Sequence, residues 1–263
     1  MIDVSFEKKV FPVVSPFDLT KYKKRSGSIV VVSPHPDDDV IGMGGNMRVL
    51  ADQGLNVFSI YVTDGTSKIF KDQGNHKLSA VRQHEALNAL RAVRAKAGIF
   101  LNYKSRNLTD SLIVKDIKDI LDYFSPETVY LPSPFERHCT HLKVTELTVK
   151  AVRQLRNYSP ELWGYSVRGG VFGGKEMIAV DISKVINLKK KAICMHKSQL
   201  KYKDYASGMI GRNRYEGVFL ETHLKNSFEY AETFVNMKEL VSNRRLSFKG
   251  FMKRMGIHYP KNF

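Results

Sequence analysis

The sequence predicts an α/β protein: a Rossmann-like layered fold with a mostly parallel sheet and a C-terminal elaboration. Short apolar runs of strand length alternate with longer segments in which apolar residues recur at helical spacing. This alternation is typical of β-α crossover units, which place neighbouring strands parallel. The 263 residues, 43% of them hydrophobic, are enough for a single domain over 1–263 with a buried core.

The predicted elements follow in a regular order. Apolar runs predict strands over 28–33, 56–63, 99–102 and 128–131. Helical patterns are expected over 38–53, 78–97, 113–124 and 141–156. Two extra strands over 162–167 and 177–182 are expected to flank a glycine-rich hairpin turn. We expect residues 1–27 to be an N-terminal extension, and residues from about 200 to 263 to be a basic C-terminal elaboration.

The turn after the first strand gathers one imidazole and three carboxylates, from His35, Asp37, Asp38 and Asp39. In open α/β sheets, ligands bind at the carboxyl ends of the strands. His35 and Asp38 are three residues apart, so a tight turn into a helix can aim both at one ion. Asp37 lies between them and stays free to act as a base. This turn therefore predicts two metal ligands and a general base.

A second polar segment, 136–141, follows the apolar run 129–131 and contains two histidines, His138 and His141. If both strand ends converge, this segment supplies the missing ligand. Two nitrogens, one carboxylate and a fourth position for water are typical of catalytic zinc. The alternative is structural, because Asp residues after strands also cap helices and histidines often lie on surfaces.

The motifs resemble those of a known family. Pro34-His35-Pro36-Asp37-Asp38, followed by Gly42, Gly44 and Gly45, is similar to the signature of the LmbE/PIG-L zinc-dependent N-deacetylases. Further similar motifs occur in the same order: 62–65, Arg82 with Glu85, His138-x-x-His141, 191–192, 196–199 and 232–234. The resemblance extends over 28–234. We read the three glycines as permitting close packing beside the metal.

The resemblance implies a role for each site residue. One Zn²⁺ per chain, or another divalent metal, would be held by His35, Asp38 and His141. Asp37 would be the base, and His138 would stabilise the oxyanion. Arg82 would contact the sugar or its acyl group while Glu85 holds it, although an ordinary intrahelical ion pair is the alternative. Tyr103 would line the pocket, or else belong to the core.

Other residues are expected to support the site or to weaken it. Asp64 is expected either to hold a ligand imidazole or to cap its own loop, and His196 to be a hydrogen-bonded structural residue. Where the family has acidic residues, this chain has Thr140 and Ser105. The first change removes a carboxylate that would orient His138. The second removes an acceptor for a sugar hydroxyl.

The predicted activity is removal of an N-acetyl group from an amino sugar or sugar conjugate. The alternatives are hydrolysis of another amide and a non-catalytic protein that binds a glycan or nucleic acid. The net charge of +16 favours an anionic partner such as a phosphorylated sugar, although a lysine-rich surface can simply be solvated. Nucleic acid is the less favoured partner. Family resemblance also suggests a homo-oligomer.

The expected location is the cytoplasm. The sequence lacks the pattern of a signal peptide, and no apolar run approaches the ~20 residues of a membrane-spanning helix. Cys139 and Cys194 have no Cys-x-x-Cys spacing, which suits a reducing compartment.

Overall fold

The computed structural model describes residues 2–6, 9–14, 27–66, 75–105, 108, 110–169, 177–219 and 228–254. The strands in this part of the chain are β1 (Ile2–Phe6), β2 (Lys9–Val14), β3 (Ser28–Ser33), β4 (Asn56–Thr63), β5 (Ala97–Tyr103), β6 (Thr128–Pro132), β7 (Glu161–Tyr165), β8 (Met177–Asp181) and β9 (Ala231–Asn236). The helices are α1 (Asp38–Asp52), α2 (Asn75–Ala92), α3 (Asp110–Phe124), α4 (Cys139–Arg153), α5 (Ile186–Cys194), α6 (Lys197–Leu200), α7 (Tyr205–Phe219), α8 (Lys238–Ser242) and α9 (Phe248–Arg254).

The described strands form one mixed sheet in the order β1-β2-β5-β4-β3-β6-β7-β9-β8. The central strands β5, β4, β3, β6 and β7 are parallel, and antiparallel strands extend the sheet at both edges. The chain runs outward from β3 through β4 to β5 and then returns to β6 on the other side of β3. This reversal creates a switch point between β3 and β6, where open α/β sheets bind ligands.

The predicted fold class is confirmed. The four strands predicted between residues 28 and 131 and the four helices predicted between residues 38 and 156 are present, with their ends shifted by a few residues. The pairing expected for the later strands is wrong. β7 and β8 do not form a hairpin with each other, because β9 lies between them and pairs with both. Residues 170–176, which contain most of the expected glycine turn, lie outside the described residues. The predicted N-terminal extension contains the β1-β2 hairpin, and β2 pairs with β5.

The side chains of β3 divide between two cores on opposite faces of the sheet. Val30 and Val32 pack with residues of α3 and α4, whereas Ile29 and Val31 pack with residues of α1 and α2. Side chains alternate between faces along a strand, so a run of four apolar residues serves both layers. Both faces of β3 are therefore buried, and its carboxyl end is fixed where the acidic turn begins.

Helix α1 is broken at Met43, whose φ of −145° and ψ of 24° are not helical. The break occurs among the glycines that follow the acidic turn. At Gly42, an added Cβ would lie 2.4 Å from the ring of Tyr165, so no larger residue fits without displacing that ring. Close packing occurs at Gly42 and at Gly45, where an added Cβ would lie 2.7 Å from Ile182, whereas at Gly44 the nearest atom would be 3.4 Å away.

A buried carboxylate closes the break in α1. Glu232 of β9 accepts hydrogen bonds from the backbone N–H groups of Gly45 and Asn46, at 2.9 and 2.7 Å. It also pairs with Lys189 of α5 at 2.6 Å, and both side chains are almost fully buried. Burial lowers the pKa of Lys189, while the adjacent Glu232 carboxylate opposes that shift. One carboxylate thus joins α1, α5 and β9.

None of the helices in the described ranges is long and apolar enough to cross a membrane.

We predict that Glu232→Ala destabilises the protein severely. The change leaves the Lys189 ammonium buried without its partner and removes the acceptor of two N–H groups, so we expect the free energy of unfolding to fall by about 3–5 kcal/mol. Urea unfolding measures the change. The control is Glu229→Ala, because Glu229 is exposed and pairs with Arg214 only at 3.6 Å; its loss should stay below about 1 kcal/mol. Similar losses in both variants would contradict a structural role for the buried pair.

Candidate active site

Hydrogen bonds within the turn between β3 and α1 fix its shape. Asp38 Oδ2 accepts the backbone N–H of His35 at 2.9 Å and lies 2.8 Å from His35 Nδ1. The Ser33 hydroxyl donates to the carbonyl of His35 and accepts the N–H of Asp39. The three-residue spacing thus brings His35 and Asp38 together, as the sequence predicts.

The three adjacent carboxylates point to different places. Asp37 and Asp38 line the cavity described below, whereas Asp39 accepts hydrogen bonds from the hydroxyls of Ser59 and Tyr61 within the sheet. Burial raises the pKa of Asp39 to about 6, and these two hydroxyls limit the rise. Asp39 therefore joins the turn to β4, and the other two carboxylates face the cavity.

The second polar segment enters the site at the start of α4. His141 is fully buried, and its Nε2 lies 3.2 Å from Asp38 Oδ2. Its Nδ1 lies 3.0 Å from Glu136 Oε2. Glu136 also accepts the N–H groups of Val167 and Arg168, at 2.5 and 3.1 Å. The Glu136 carboxylate therefore fixes the imidazole of His141 at Nδ1, and backbone N–H groups fix the Glu136 carboxylate in turn.

Glu136 performs the supporting role considered for Asp64. Asp64 instead pairs with Lys104 and accepts from the N–H and hydroxyl of Thr66, so it caps its own loop. Sequence reasoning did not single out Glu136. A carboxylate that precedes two histidines within one segment was the available signal, because metal-binding imidazoles commonly donate their second N–H to such a group.

Three imidazoles meet at the switch point. One nitrogen from each of His35, His138 and His141 lies within 4.8 Å of the others. His138 Nδ1 is buried without a hydrogen-bond partner in the described structure, and the only close polar neighbour of the buried His141 Nε2 there is Asp38 Oδ2, at 3.2 Å and outside good hydrogen-bond geometry. Buried polar atoms normally have a partner, and imidazole nitrogens beside a carboxylate suit Zn²⁺ or a similar divalent ion. The residues present fit a metal, and His138 adds a fourth potential donor to the predicted His35, Asp38 and His141.

The charges within this cluster compensate one another. Burial alone would raise the pKa of Asp38, but His141 and His35 hold it well below its usual range. For His141, burial acts to lower the pKa, yet the carboxylates of Asp38 and Glu136 raise it to about 10. A metal ion would compete with this proton, because a ligand imidazole must be neutral.

The pKa of His138 is shifted in the opposite direction from that of His141. Burial, together with the positive charges of His141, His35 and Arg168, lowers its pKa to about 4. It is therefore a neutral imidazole near pH 7, able to donate one hydrogen bond. Thr140 is buried and lines the same cavity. It occupies the position of a carboxylate in the family that the sequence resembles.

Arg82 is close to the predicted base. Its Nη2 lies 2.8 Å from Asp37 Oδ1, and its Nη1 donates to the carbonyl of Gly65 at 2.5 Å. Gly65 has a φ of 69°, and an added Cβ there would collide with the Arg82 guanidinium. Any residue other than glycine would therefore displace Arg82.

Glu85 does not hold Arg82 in the way we expected. Its carboxylate accepts the N–H of Ser198 at 2.8 Å and the Ser198 hydroxyl at 2.6 Å, which anchors α6 to α2. The intrahelical ion pair considered as an alternative does not form either, since Arg82 pairs with Asp37. Arg82 and Glu85 lie three positions apart on α2 and make separate contacts. Arg82 contacts the predicted base, Asp37, and Glu85 contacts Ser198 of α6.

The structure shows the core alternative for Tyr103, and for His196 it differs from the expectation. Tyr103 donates to Asp116 at 2.5 Å and packs against the core, so among the described residues it is not part of the cavity wall. Ser105 does line the cavity. His196 is buried as expected, but neither of its ring nitrogens has a hydrogen-bond partner in the described ranges. Burial lowers the pKa of His196 to about 4.

The cavity at this site has a volume of about 390 Å³, within the range of small-molecule sites. His35, Asp37, Asp38 and His138 line it together with Arg82. Other parts of the lining come from the later part of the chain: Arg168, Gln199, Tyr202, Lys203 and Tyr205. The cavity thus combines a candidate metal centre and base with tyrosines and two further cations.

Comparisons with known proteins agree with this architecture. Residues 30–152 match the model of the PIG-L family, described as GlcNAc-PI de-N-acetylase. A diacetylchitobiose deacetylase from Thermococcus kodakarensis is 28% identical over 203 residues, covering 72% of this chain and 74% of the relative. A probable N-acetyl-α-D-glucosaminyl L-malate deacetylase from Bacillus cereus is 26% identical over 185 residues, covering 65% and 83%.

A solved structure extends the similarity to the fold. The N,N′-diacetylchitobiose deacetylase from Pyrococcus horikoshii aligns with a TM-score of 0.70 and 27% identity, over 86% of this chain and 89% of that one. The matched region contains the turn after β3 and the start of α4, which together supply the histidine cluster. The family match, the homologous deacetylases and the shared fold together make this chain similar to the PIG-L/LmbE deacetylases.

Proposed function

We propose that this protein is a metal-dependent N-deacetylase that removes an acetyl group from an amino sugar or sugar conjugate. The observation that carries the proposal is the cluster of three histidines in contact with Asp38, at the wall of a cavity that Asp37 also lines. The relatives named above, whose names describe deacetylation of N-acetylated sugars, support the same reaction class. In this reaction water adds to the acetamide carbonyl and the C–N bond breaks, which gives acetate and a free amine.

In this proposal His35, Asp38 and His141 hold one Zn²⁺ per chain, or another divalent ion. When bound, such an ion polarises a carbonyl oxygen and lowers the pKa of water toward neutrality. Glu136 keeps the ring of His141 oriented through the 3.0 Å contact at Nδ1, which directs Nε2 toward Asp38. Support of this kind makes the ligand more basic and fixes its tautomer.

Asp37 is the proposed general base. It takes a proton from the attacking water and delivers it to the nitrogen of the departing amine. Arg82 pairs with Oδ1 of Asp37 and donates a hydrogen bond to the carbonyl of Gly65. These two contacts fix the orientation of the Asp37 carboxylate. We assign Arg82 a positioning role, because its guanidinium already contacts the base. Any contact with the acyl group would be additional.

His138 is the proposed donor to the oxyanion that forms on the carbonyl oxygen. As a neutral imidazole it donates one hydrogen bond and carries no charge of its own. A well-placed donor of this kind is worth roughly 3–4 kcal/mol in the transition state. With Thr140 in place of a carboxylate, the opposing effect of Asp38 on the pKa of His138 is outweighed by burial and by the nearby positive charges.

The other lining residues bear on the substrate. Arg168 and Lys203 suit a carboxylate or phosphate on the sugar conjugate, while Tyr202 and Tyr205 suit the faces of sugar rings. Arg244, a basic residue of the C-terminal elaboration, lines a different cavity and is not assigned to this substrate. Anionic substrates are therefore assigned to Arg168 and Lys203. Oligomeric state and cytoplasmic location stay predictions.

Metal content tests the centre directly. We expect purified protein to carry about one zinc per chain, and His141→Ala to lose it, because one of three ligands and the contact to Glu136 disappear together. Inductively coupled plasma mass spectrometry measures the metal. His84→Ala is the control, since His84 is exposed on α2. Wild-type protein that cannot be loaded with any divalent metal would contradict the proposal.

Asp37→Asn separates an enzyme from a binding protein. Asparagine keeps the size of the side chain but cannot accept the proton, so we expect kcat for release of acetate to fall by about 10²–10⁴-fold while metal content stays unchanged. Amine release from N-acetylated sugars measures turnover. If the variant binds sugar normally and the wild type shows no turnover on any N-acetylated substrate, the non-catalytic alternative is favoured.

Arg168→Ala tests the anionic substrate. We expect KM for a carboxylate- or phosphate-bearing N-acetylglucosamine conjugate to rise about tenfold, the equivalent of one charge-assisted contact. KM for neutral diacetylchitobiose should change little. Arg91→Ala removes an exposed arginine from α2 and serves as the charge-matched control. Equal effects on both substrates would assign Arg168 to general support of the cavity wall.

A further inference from the structure

A second cavity lies at the opposite edge of the sheet. It has a volume of about 860 Å³ and is lined by residues that include Lys118, Asp122, Arg153, Arg156, Asn157 and Arg244. Lys118 and Asp122 lie in the last two turns of α3, before β6, and Arg153–Asn157 lie between the end of α4 and β7. Helices that end before parallel strands end at the amino edge of the sheet. The candidate active site lies at the carboxyl edge.

The positive charge of this second cavity is mostly uncompensated. Lys118 is paired with Asp122 at 2.7 Å. In contrast, the three arginines Arg153, Arg156 and Arg244 have no carboxylate partner among the residues that the structure describes. Arg156 and Arg244 are exposed, so neither has an evident packing role. Arginines that only form a solvated basic surface need not line the same cavity, as these three do.

Arg153 provides a rigid side to the cavity. Its Nε donates to the carbonyl of Leu240 at 2.8 Å, and its Nη2 donates to the carbonyl of Leu246 at 2.6 Å. These contacts clamp the turn after α8 and fix the plane of the guanidinium. Its Nη1 has no hydrogen bond within the described ranges. A donor held in this way loses little conformational entropy when it binds a ligand.

Arg153 and Arg244 also repel each other. Burial lowers the pKa of Arg153, and the positive charge of Arg244 lowers it further. Like charges brought together cost free energy that a bound anion would recover. The planar fork of a guanidinium matches the oxygens of a phosphate group, which can accept two parallel hydrogen bonds.

We propose that this cavity binds a small molecule that carries two phosphate groups. Three guanidiniums exceed the charge of one phosphate monoester, about −1.5 to −2 at pH 7. The volume falls within the range of small-molecule sites, about 300–1,000 Å³. No aromatic ring lines the cavity in the described structure, so the stacking surface that single-stranded nucleic acid needs is missing. The site is independent of the proposed deacetylation.

Fructose 1,6-bisphosphate is a suitable probe, measured by isothermal titration calorimetry on the full-length protein at about 0.15 M salt, where weak surface attraction is screened. We expect saturable binding at one site per chain, weakened about tenfold by Arg156→Ala and by Arg244→Ala. Both positions are exposed, so folding is not at risk. Arg91→Ala, with the same loss of charge on α2, should bind like the wild type.

Three outcomes would overturn the proposal. One is the absence of saturable binding at millimolar probe. Another is equal weakening in Arg91→Ala, which would indicate non-specific attraction to the net charge. The third is loss of binding in Arg168→Ala alone, which would place the probe in the candidate active site. An oligothymidylate that binds through Arg156 and Arg244 when the bisphosphate does not would identify a nucleic-acid surface instead.

Discussion

The candidate site depends on the parallel pairing of β3 with β6. Their register, from Ile29 opposite Thr128 to Val31 opposite Tyr130, brings the two polar turns to the same edge of the sheet. Asp38 Oδ2 then contacts both sides, at 2.8 Å from His35 Nδ1 and 3.2 Å from His141 Nε2. A slip of two residues would move one turn by about 7 Å and separate the imidazoles. Sheet register therefore sets the relative positions of the histidines in the candidate site.

Around this centre, each carboxylate is held by groups from distant parts of the chain. Asp37 is held by Arg82, Glu136 by the backbone of Val167 and Arg168, and Glu85 by Ser198. Buried charges are costly unless they are paired and hydrogen-bonded. Most of these groups meet that requirement with backbone N–H donors, which are fixed by the fold. The site is consequently preorganised by the same contacts that stabilise the protein.

Local sequence patterns were sufficient for the strands of the parallel core and for the two polar turns, because both depend on residues close in sequence. The predicted metal set of His35, Asp38 and His141 comes together in space for this reason. Contacts between distant segments could not be predicted. Arg82 and Asp37 are 45 positions apart, and whether Arg82 faces the base or the substrate depends on the loop at Gly65.

The later strands illustrate the same limit. The segments of β7 and β8 both have strand character, but nothing in their composition indicates that β9 inserts between them. The buried state of Glu136 is equally hidden, since an acidic residue in a segment that follows prolines usually occupies an exposed turn. Its role becomes visible only when the N–H groups of Val167 and Arg168 are seen to converge on it. The predicted single domain over 1–263 stays a prediction.

The break in α1 depends on a residue far outside the family-matched segment. The family-matched segment ends at residue 152, whereas the carboxylate that satisfies Gly45 and Asn46 comes from Glu232, some 80 positions later. A fragment cut at the end of the matched segment would contain every proposed metal ligand, yet it would leave the first helix after the ligand turn with two open N–H groups. We therefore expect a fragment that folds to extend at least through β9, well beyond the end of the family-matched segment.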